Sequence, residues 1–234
     1  MTGVESPRVA IEQLVEEGDL EGLLWKAGEL HGHFCPNVCY GVRAAHIGLR
    51  ELGITSNIGM EDLMAIVETN SCFSDGVQMV SGCTFGNNAL VFEDAGKIAV
   101  TFALREGGAV RVALKAGARE SFASRYPEAQ ALFRRIVVQR EKVSEEESRT
   151  MMRLWRDASF GELSVPEADL FRVEAKEASL PAYARIFASA ICSVCGDSVM
   201  ETRARIVEGK PVCLQCAGAE RYVLMGNGIT VLRG

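Results

Sequence analysis

Several features of other protein classes are missing from this sequence of 234 residues. No apolar run is long enough to cross a bilayer, and the N-terminus lacks the basic start and apolar stretch of a secretory signal. No long cluster of lysine and arginine occurs, and the formal net charge is −6, which argues against nucleic acid as a partner. These absences predict a cytoplasmic protein that does not bind membranes.

Histidine is scarce and cysteine is plentiful. The chain has three histidines and eight cysteines. Eight cysteines would suit four disulfides in a small secreted protein, but in a chain of this size without a signal they favour metal ligation or redox chemistry. Two of the three histidines, His31 and His33, stand within five residues of Cys35. This crowding makes residues 31–41 the first candidate site.

The string His-Gly-His-Phe-Cys-Pro places one imidazole, a second imidazole and a thiol at alternate positions. In extended backbone His31, His33 and Cys35 would point to one side, and imidazole and thiolate are ligands that zinc and other late transition metals prefer. Pro36 is favoured at the first position of a helix, so Cys35 is expected at the N-cap, where the helix dipole stabilises a thiolate. Cys39, one turn later, either faces the same pocket or serves as a small apolar residue.

Two further thiols stand at predicted element boundaries. The apolar run 63–67 predicts a buried strand, and Cys72 follows it at the start of a helix in which Asp75 completes a capping box. Cys83 opens the loop after Gly82. We therefore predict one pocket, built from His31, His33, Cys35 and Cys72 as metal ligands, with Asp75 and Cys83 near it. Its candidate catalytic residues are Cys35, Cys72, Asp75 and Cys83.

The remaining patterns predict an α+β fold. Amphipathic helices are expected over 7–30 and 36–52, and residues 89–92, 97–104 and 109–114 are interpreted as a meander that joins strand 63–67 in one sheet. Residues 116–126 are interpreted as a polar loop. Helices are predicted from Pro127 to about 142 and, after a capping box at Ser144, to about 158. A linker and a strand at 170–175 follow, which divides the chain into domains 1–165 and 166–234.

The tail carries two C-x2-C pairs separated by seventeen residues. This spacing is typical of structural zinc sites with four thiolates and no open position for a substrate. The ligands are Cys192, Cys195, Cys213 and Cys216. A hairpin is expected between the pairs, and a short helix over 214–222. The metal should supply most of the folding energy of so small a module.

In this order the motifs resemble the FmdE family, named for a component of formylmethanofuran dehydrogenase. The resemblance rests on His31-Gly-His33-Phe-Cys35-Pro36, on Cys72 with Asp75 and Gln78, and on the string Gly-Cys-Thr-Phe-Gly at 82–86. It implies a thioredoxin-like mixed sheet flanked by helices, a treble-clef zinc finger, a homodimer, and a metal site in the first domain. It also implies dehydrogenase subunits as partners in a molybdenum or tungsten one-carbon system.

The reaction stays open at the level of sequence. The leading hypothesis is a metal- or thiolate-dependent pocket, associated with an oxidoreductase, that holds zinc or another transition metal through Cys35, Cys72 and one or both of His31 and His33. Three protein ligands would leave one position open. A thiol redox protein is the alternative, through a disulfide from Cys35 to Cys72 or Cys83. A third is a module without turnover that delivers metal or docks a partner through its finger.

Overall fold

The computed structural model describes residues 6–55 and 61–233. The chain divides into two compact units, Met1–Leu180 and Pro181–Gly234. The first is a mixed α+β unit. Its helices and strands, in chain order, are α1 (Val9–Glu17), α2 (Leu20–His31), α3 (Pro36–Glu51), β1 (Leu63–Val67), α4 (Cys72–Ser81), β2 (Leu90–Phe92), β3 (Ala99–Leu104), β4 (Ala109–Leu114), α5 (Ala118–Arg125), α6 (Pro127–Phe133), α7 (Glu145–Gly161), α8 (Glu167–Leu170) and β5 (Phe171–Ala175).

The five strands form one sheet in the order β2-β1-β3-β4-β5. β2 pairs with β1 in parallel, and every other pair is antiparallel. The predicted meander was therefore wrong at β2, because β1 lies between β2 and β3. Residues 68–89, which contain α4, provide the crossover that a parallel pair requires. β5 pairs with β4 through Val112 and Val173, so this strand belongs to the first unit and the units divide later than the predicted boundary at 165/166.

The core lies between this sheet and the helices α2, α3 and α4. Alternate residues of the strands, such as Val100 and Phe102, are fully buried against apolar side chains of the helices, such as Leu23 and Val42. Burial of this kind contributes roughly 25 cal/mol per Å² of apolar surface. Gly48 of α3 lies against the Phe102 ring, where a Cβ would come within 2.2 Å of the ring edge.

A buried charge network fastens the later helices to α3. The carboxylate of Glu162, which is fully buried, accepts a hydrogen bond of 2.8 Å from the Tyr40 hydroxyl and paired bonds from Arg125. Arg43 donates to the backbone carbonyls of Glu162 and Val165. Burial, followed by the nearby Glu162 charge, raises the pKa of Tyr40. The network joins α3 to the end of α5 and to the turn after α7.

Two predictions about local structure were wrong. Residues 118–125 form the helix α5 instead of a polar loop, because Ala118 and Phe122 are buried and the Phe122 ring packs edge-on against Trp155 at 5.4 Å. Residues 214–222 do not form a helix. They make a turn that ends at Gly218, whose φ of 60° is left-handed, and a strand begins at Arg221.

The second unit consists of three short hairpins. Its strands are β6 (Ser189–Ile191), β7 (Ser198–Met200), β8 (Ala204–Val207), β9 (Lys210–Cys213), β10 (Arg221–Met225) and β11 (Gly228–Leu232). They pair as β6–β7, β8–β9 and β10–β11. Among the described residues of the whole chain, no helix is long and apolar enough to cross a membrane.

Candidate metal centres

Two helices begin at the N-terminal site. Cys35 is the N-cap of α3 in extended backbone (φ −150°, ψ 159°), and Pro36 occupies the first helical position, as the sequence predicts. Cys72 is the first residue of α4. The two helices cross at a pair of glycines, where a Cβ on Gly41 would lie 2.0 Å from the carbonyl oxygen of Phe73 and one on Gly76 would lie 2.5 Å from that of Val38. This close crossing brings the starts of both helices together.

The resulting group contains two imidazoles and two thiols. One ligand atom from each of four residues lies within 4.8 Å of the others, and the four are His31, His33, Cys35 and Cys72. His31 arrives at the end of α2, and His33 follows Gly32, whose φ of 85° turns the chain at the helix terminus. Cys35 is buried, and His33 is exposed. The group is therefore closed on its thiol side and open to solvent at His33.

Asp75 orients His31. Nδ1 of His31 lies 2.7 Å from Oδ2 of Asp75, and the amide nitrogen of Gln78 donates to Oδ1 of the same carboxylate at 3.1 Å. A ring nitrogen that donates to a carboxylate leaves the other nitrogen as a lone-pair donor, and metal-binding histidines usually have such a partner. Nε2 of His31 is buried without a hydrogen-bond partner in the described ranges. That atom is the one this arrangement offers to a metal ion.

The two thiols share their protons unequally. The hydrogen bond from Cys35, followed by the charge of His31, lowers the pKa of Cys72 to about 6, although burial acts in the opposite direction. The same hydrogen bond and burial raise the pKa of Cys35, while the backbone N–H groups of Val38 and Asn37 partly oppose that rise. Cys72 therefore carries the thiolate at neutral pH, and Cys35 carries the thiol.

His33 completes the group from the solvent side. Its ring centroid lies 4.3 Å from that of His31. Partial burial, followed by the His31 charge, lowers the pKa of His33. A lowered pKa keeps this imidazole neutral near pH 7, which is the form that binds metals.

The structure places the other candidate residues elsewhere. Cys83 follows α4 at the end opposite to Cys72, a helix of ten residues or about 15 Å away, and its sulfur lies 3.5 Å from the carbonyl oxygen of Leu63. Its predicted place beside the pocket is therefore corrected, because α4 separates the two thiols. Cys39 is fully buried in the core, where burial raises its pKa, which supports the apolar alternative for this residue.

Gln78 is a residue of the site that the residue-by-residue interpretation took for a surface side chain. It lies one turn after Asp75 on α4 and fixes the carboxylate oxygen that does not contact His31. The spacing of three residues on a predicted helix was the available signal, since such pairs lie on one helical face.

The second unit contains a group of four cysteines. The sulfur atoms of Cys192, Cys195, Cys213 and Cys216 lie within 4.8 Å of one another. Backbone N–H groups point at these sulfurs: Cys213 donates to Cys192 at 3.3 Å, and Cys216 donates to Cys213 at 3.4 Å. Backbone donors at Cys195 and Cys213 lower the pKa of Cys192 to about 6. These donors stabilise thiolates, as a structural zinc site requires.

Comparison with known proteins gives two family matches. A model described as "FmdE, Molybdenum formylmethanofuran dehydrogenase operon" matches residues 30–172. A second, the prokaryotic dksA/traR C4-type zinc finger, matches residues 185–222. The second match assigns the four-cysteine group to a zinc finger.

Two individual proteins are similar to the chain. A probable S-adenosyl-L-methionine-binding protein of Archaeoglobus fulgidus is 38% identical over 228 residues, which is 95% of this chain and 60% of that protein. The chain thus spans about three-fifths of the length of that relative. The crystal structure of an FmdE-like protein of tungsten formylmethanofuran dehydrogenase from Syntrophus aciditrophicus superposes with a TM-score of 0.55 at 21% identity, covering 85% of this chain and 92% of that one. This likeness shows a shared fold.

Proposed function

Because the chain belongs to the FmdE family, we propose that His31, His33, Cys35 and Cys72 hold a transition metal ion, and that the protein serves a dehydrogenase system of one-carbon metabolism as a subunit or accessory. The observation that carries the metal proposal is His31. Its Nδ1 is held by Asp75, and its Nε2 is buried with no other partner in the described part of the chain. A buried imidazole nitrogen left in that state is costly unless a ligand completes it.

The donor set fits zinc or a similar late transition metal. Two imidazoles and two thiolates are a common tetrahedral set for zinc, and soft thiolates disfavour magnesium and calcium. His31, Cys35 and Cys72 are the sheltered members, and His33 is the exposed one. We propose that the first three retain the ion, while His33 leaves its place when a substrate approaches from solvent.

Each residue has a role in this proposal. When bound, the ion supplies Lewis acidity toward an oxygen of the substrate. Asp75 keeps the His31 ring in one tautomer and orientation. Cys72 supplies an existing thiolate, and Cys35 loses its proton on loading, with the first turn of α3 stabilising the charge that forms. His33, neutral and exposed, can accept a proton at the ring nitrogen that faces solvent.

Metal content per chain tests this function. Anaerobically purified full-length protein should contain two ions, measured by mass spectrometry. The variants Cys72→Ser and Cys195→Ser should contain one each, because each disrupts one group. Two ions in the Cys72→Ser variant, or one ion in the unaltered chain with none in Cys195→Ser, would overturn the N-terminal metal site.

The dehydrogenase association is supported by the description of the family model, and the solved structure, at 21% identity, supports the fold only. We propose formylmethanofuran dehydrogenase subunits as partners and a homodimer as the assembled form. Co-purification with the dehydrogenase tests the first, and light scattering during gel filtration tests the second. A monomer that elutes apart from the dehydrogenase would contradict both.

Thiol redox chemistry is a second candidate function, favoured by the contact between Cys35 and Cys72. One sulfur is a thiolate and the other a thiol, which is the state that attacks oxidants. A peroxide would convert the pair to a disulfide with release of water. Mass-spectrometric counting of alkylated thiols after peroxide treatment tests it: loss of this pair from alkylation supports the function, and full alkylation excludes it.

S-adenosyl-L-methionine binding is a third candidate, favoured by the name of the relative that is 38% identical. Because the chain spans only part of that relative, the binding site of the longer protein could lie in either portion. Equilibrium dialysis of this chain with labelled S-adenosyl-L-methionine decides the question. Retention of label supports the candidate, and its free passage excludes it for this chain.

A further inference from the structure

Four basic side chains meet at one end of the sheet, away from the metal-ligating residues. Lys97 precedes β3 and Lys115 follows β4, and the N–H of Leu114 donates to the carbonyl of Ile98 at 2.9 Å, which holds these two segments side by side. Arg172 of β5 pairs with Ala113 of β4. Arg119 joins them from the first turn of α5, which starts four residues after β4.

A groove of about 510 Å³ lies between these residues. Its lining combines an apolar part with four cations, and the described residues that line it include no carboxylate. The cations are Lys97, Lys115, Arg119 and Arg172, and the apolar part includes Ile98 and Leu114. Binding sites for small molecules are typically about 300–1,000 Å³, with apolar walls and a few charged groups that fix orientation.

The start of α5 adds positive potential at the same place. Gly117, the N-cap, has no side chain with which to accept the first N–H groups of the helix, and its neighbours Ala116 and Arg119 line the groove. Uncapped helix starts bind phosphate and other anions through these N–H groups and the helix dipole. The helix terminus and the four side chains are independent features that favour the same ligand charge.

The cations of the groove are only partly neutralised by the chain itself. Arg172 lies 3.2 Å from a carboxylate oxygen of Glu174, and Lys97 lies 3.9 Å from one of Glu68. Lys115 donates to the backbone carbonyl of Ala168, and Arg119 forms no ion pair within the described ranges. A local excess of positive charge on a chain of net charge −6 concentrates anions at this site.

We propose that this groove binds a mononucleotide, that is, a phosphate ester with a flat apolar body. Arg119, Lys97 and the start of α5 would hold the phosphate, because guanidinium and backbone N–H groups together match its oxygens. The apolar part of the lining, Ile98 and Leu114, would cover the base. This site is independent of the metal ligands, which lie on other elements.

Calorimetric titration of the metal-loaded full-length protein with AMP, adenosine and inorganic phosphate tests the proposal. AMP should bind, and adenosine and phosphate should each bind about tenfold more weakly, since each lacks half of the contacts. The variant Lys97→Gln/Arg119→Gln should weaken AMP binding by about tenfold or more, while its metal content and melting temperature stay unchanged.

The matched control is Lys26→Gln/Arg149→Gln, which removes the same charge from exposed positions on α2 and α7 that lie outside the groove. It should change AMP affinity by less than about twofold. Three outcomes would overturn the proposal: no AMP binding at millimolar concentration, equal binding of AMP and free phosphate, or equal losses in the two double variants. The last two would show general charge attraction instead of a built site.

Discussion

Among single residues, Asp75 has a disproportionate effect because it touches no proposed metal position itself yet sets the direction of His31. The contact between its carboxylate and Nδ1 joins residues 44 positions apart and leaves Nε2 facing the thiols. We therefore expect Asp75→Asn to lower metal affinity at the N-terminal site by about 10–100-fold with little change in fold. Competition with a chromogenic chelator measures this affinity.

The control for that substitution is Asp157→Asn, a similar change at an exposed carboxylate on α7. It should leave chelator competition unchanged. Equal affinities in Asp75→Asn and the unaltered protein would show that His31 is not oriented by this hydrogen bond, or that it is no ligand.

The cysteines of the first unit should separate into ligands and core residues. Cys35→Ser should lose one metal ion per chain, because it removes a thiol from the group of four. Cys83→Ser should keep the full metal content, because its sulfur lies beyond the far end of α4. Metal analysis of both proteins is the measurement, and loss of metal from Cys83→Ser alone would reverse the assignment.

At the scale of elements, the crossing of α3 and α4 controls the distance between the two thiols. Gly41→Ala would place a methyl group 2.0 Å from a backbone oxygen of α4, so the helices must separate. We expect a loss of about 1–3 kcal/mol in the free energy of unfolding, together with weaker metal binding. Urea denaturation and chelator competition report the two effects.

Gly117→Ala is the matched control, because Gly117 has a negative φ and open space where its Cβ would go. Its stability should stay within about 0.5 kcal/mol of the parent protein. If Gly41→Ala matches that control in stability and metal binding, the close crossing does not determine the site.

A buried ion pair ties the end of β1 to β4. Arg111 donates two hydrogen bonds to Glu68, at 2.5 and 2.9 Å, and this contact lowers the pKa of Glu68. The pair therefore stabilises the fold fully above the pKa that Glu68 has when unfolded, about 4.3, and its contribution is lost as the pH falls through the lowered folded value. Glu68→Gln should cost about 1–3 kcal/mol at pH 7.

Urea denaturation at several pH values checks this sign. The stability difference between Glu68→Gln and the parent protein should be largest at neutral pH and should shrink as the parent carboxylate becomes protonated. A difference that grows on acidification would contradict the lowered pKa.

Local signals were sufficient for several elements. The apolar run 63–67 coincides with β1, and the capping box at Ser144 forms as predicted, with its hydroxyl accepting from the N–H of Glu147. Non-local pairing was not accessible in this way. Nothing in residues 90–92 distinguishes a parallel partner from an antiparallel one, and α5 depends on burial of Phe122 against a helix that comes later in the chain.

The candidate site divides in the same manner. Cys35 and Cys72 were predicted at helix starts because Pro36 and the polar residues before α4 are local signals. The contact from Asp75 to His31 depends on how α2 and α4 pack, and the displacement of Cys83 depends on the length of α4. Both are tertiary facts that residue spacing does not contain.

At the scale of the whole molecule, the two units differ in what stabilises them. The first has an extensive apolar core, whereas in the second, among the described residues, only Cys192 and Val212 appear among the buried apolar side chains. Zinc binding contributes about 10–16 kcal/mol in modules of this kind. Chelation should therefore unfold residues 181–234 and leave the first unit folded.

Hydrogen exchange read by mass spectrometry follows this change by segment. Protection should disappear from the three hairpins of the second unit and persist in β1, β3 and β4. Cys195→Ser should reproduce the effect without a chelator. Protection retained in the hairpins after complete removal of zinc would show that the second unit folds without its metal.

The two glycines at the crossing of α3 and α4 also constrain how the sequence can drift over generations. Each fills the space that a side chain on the opposite helix would need, so neither position can accept even a methyl group while the other helix stays in place. Substitution at either position alone should be rare among descendants of this gene that keep both thiols. Lineages that lose Cys35 or Cys72 are released from that restriction, and in them positions 41 and 76 should vary freely.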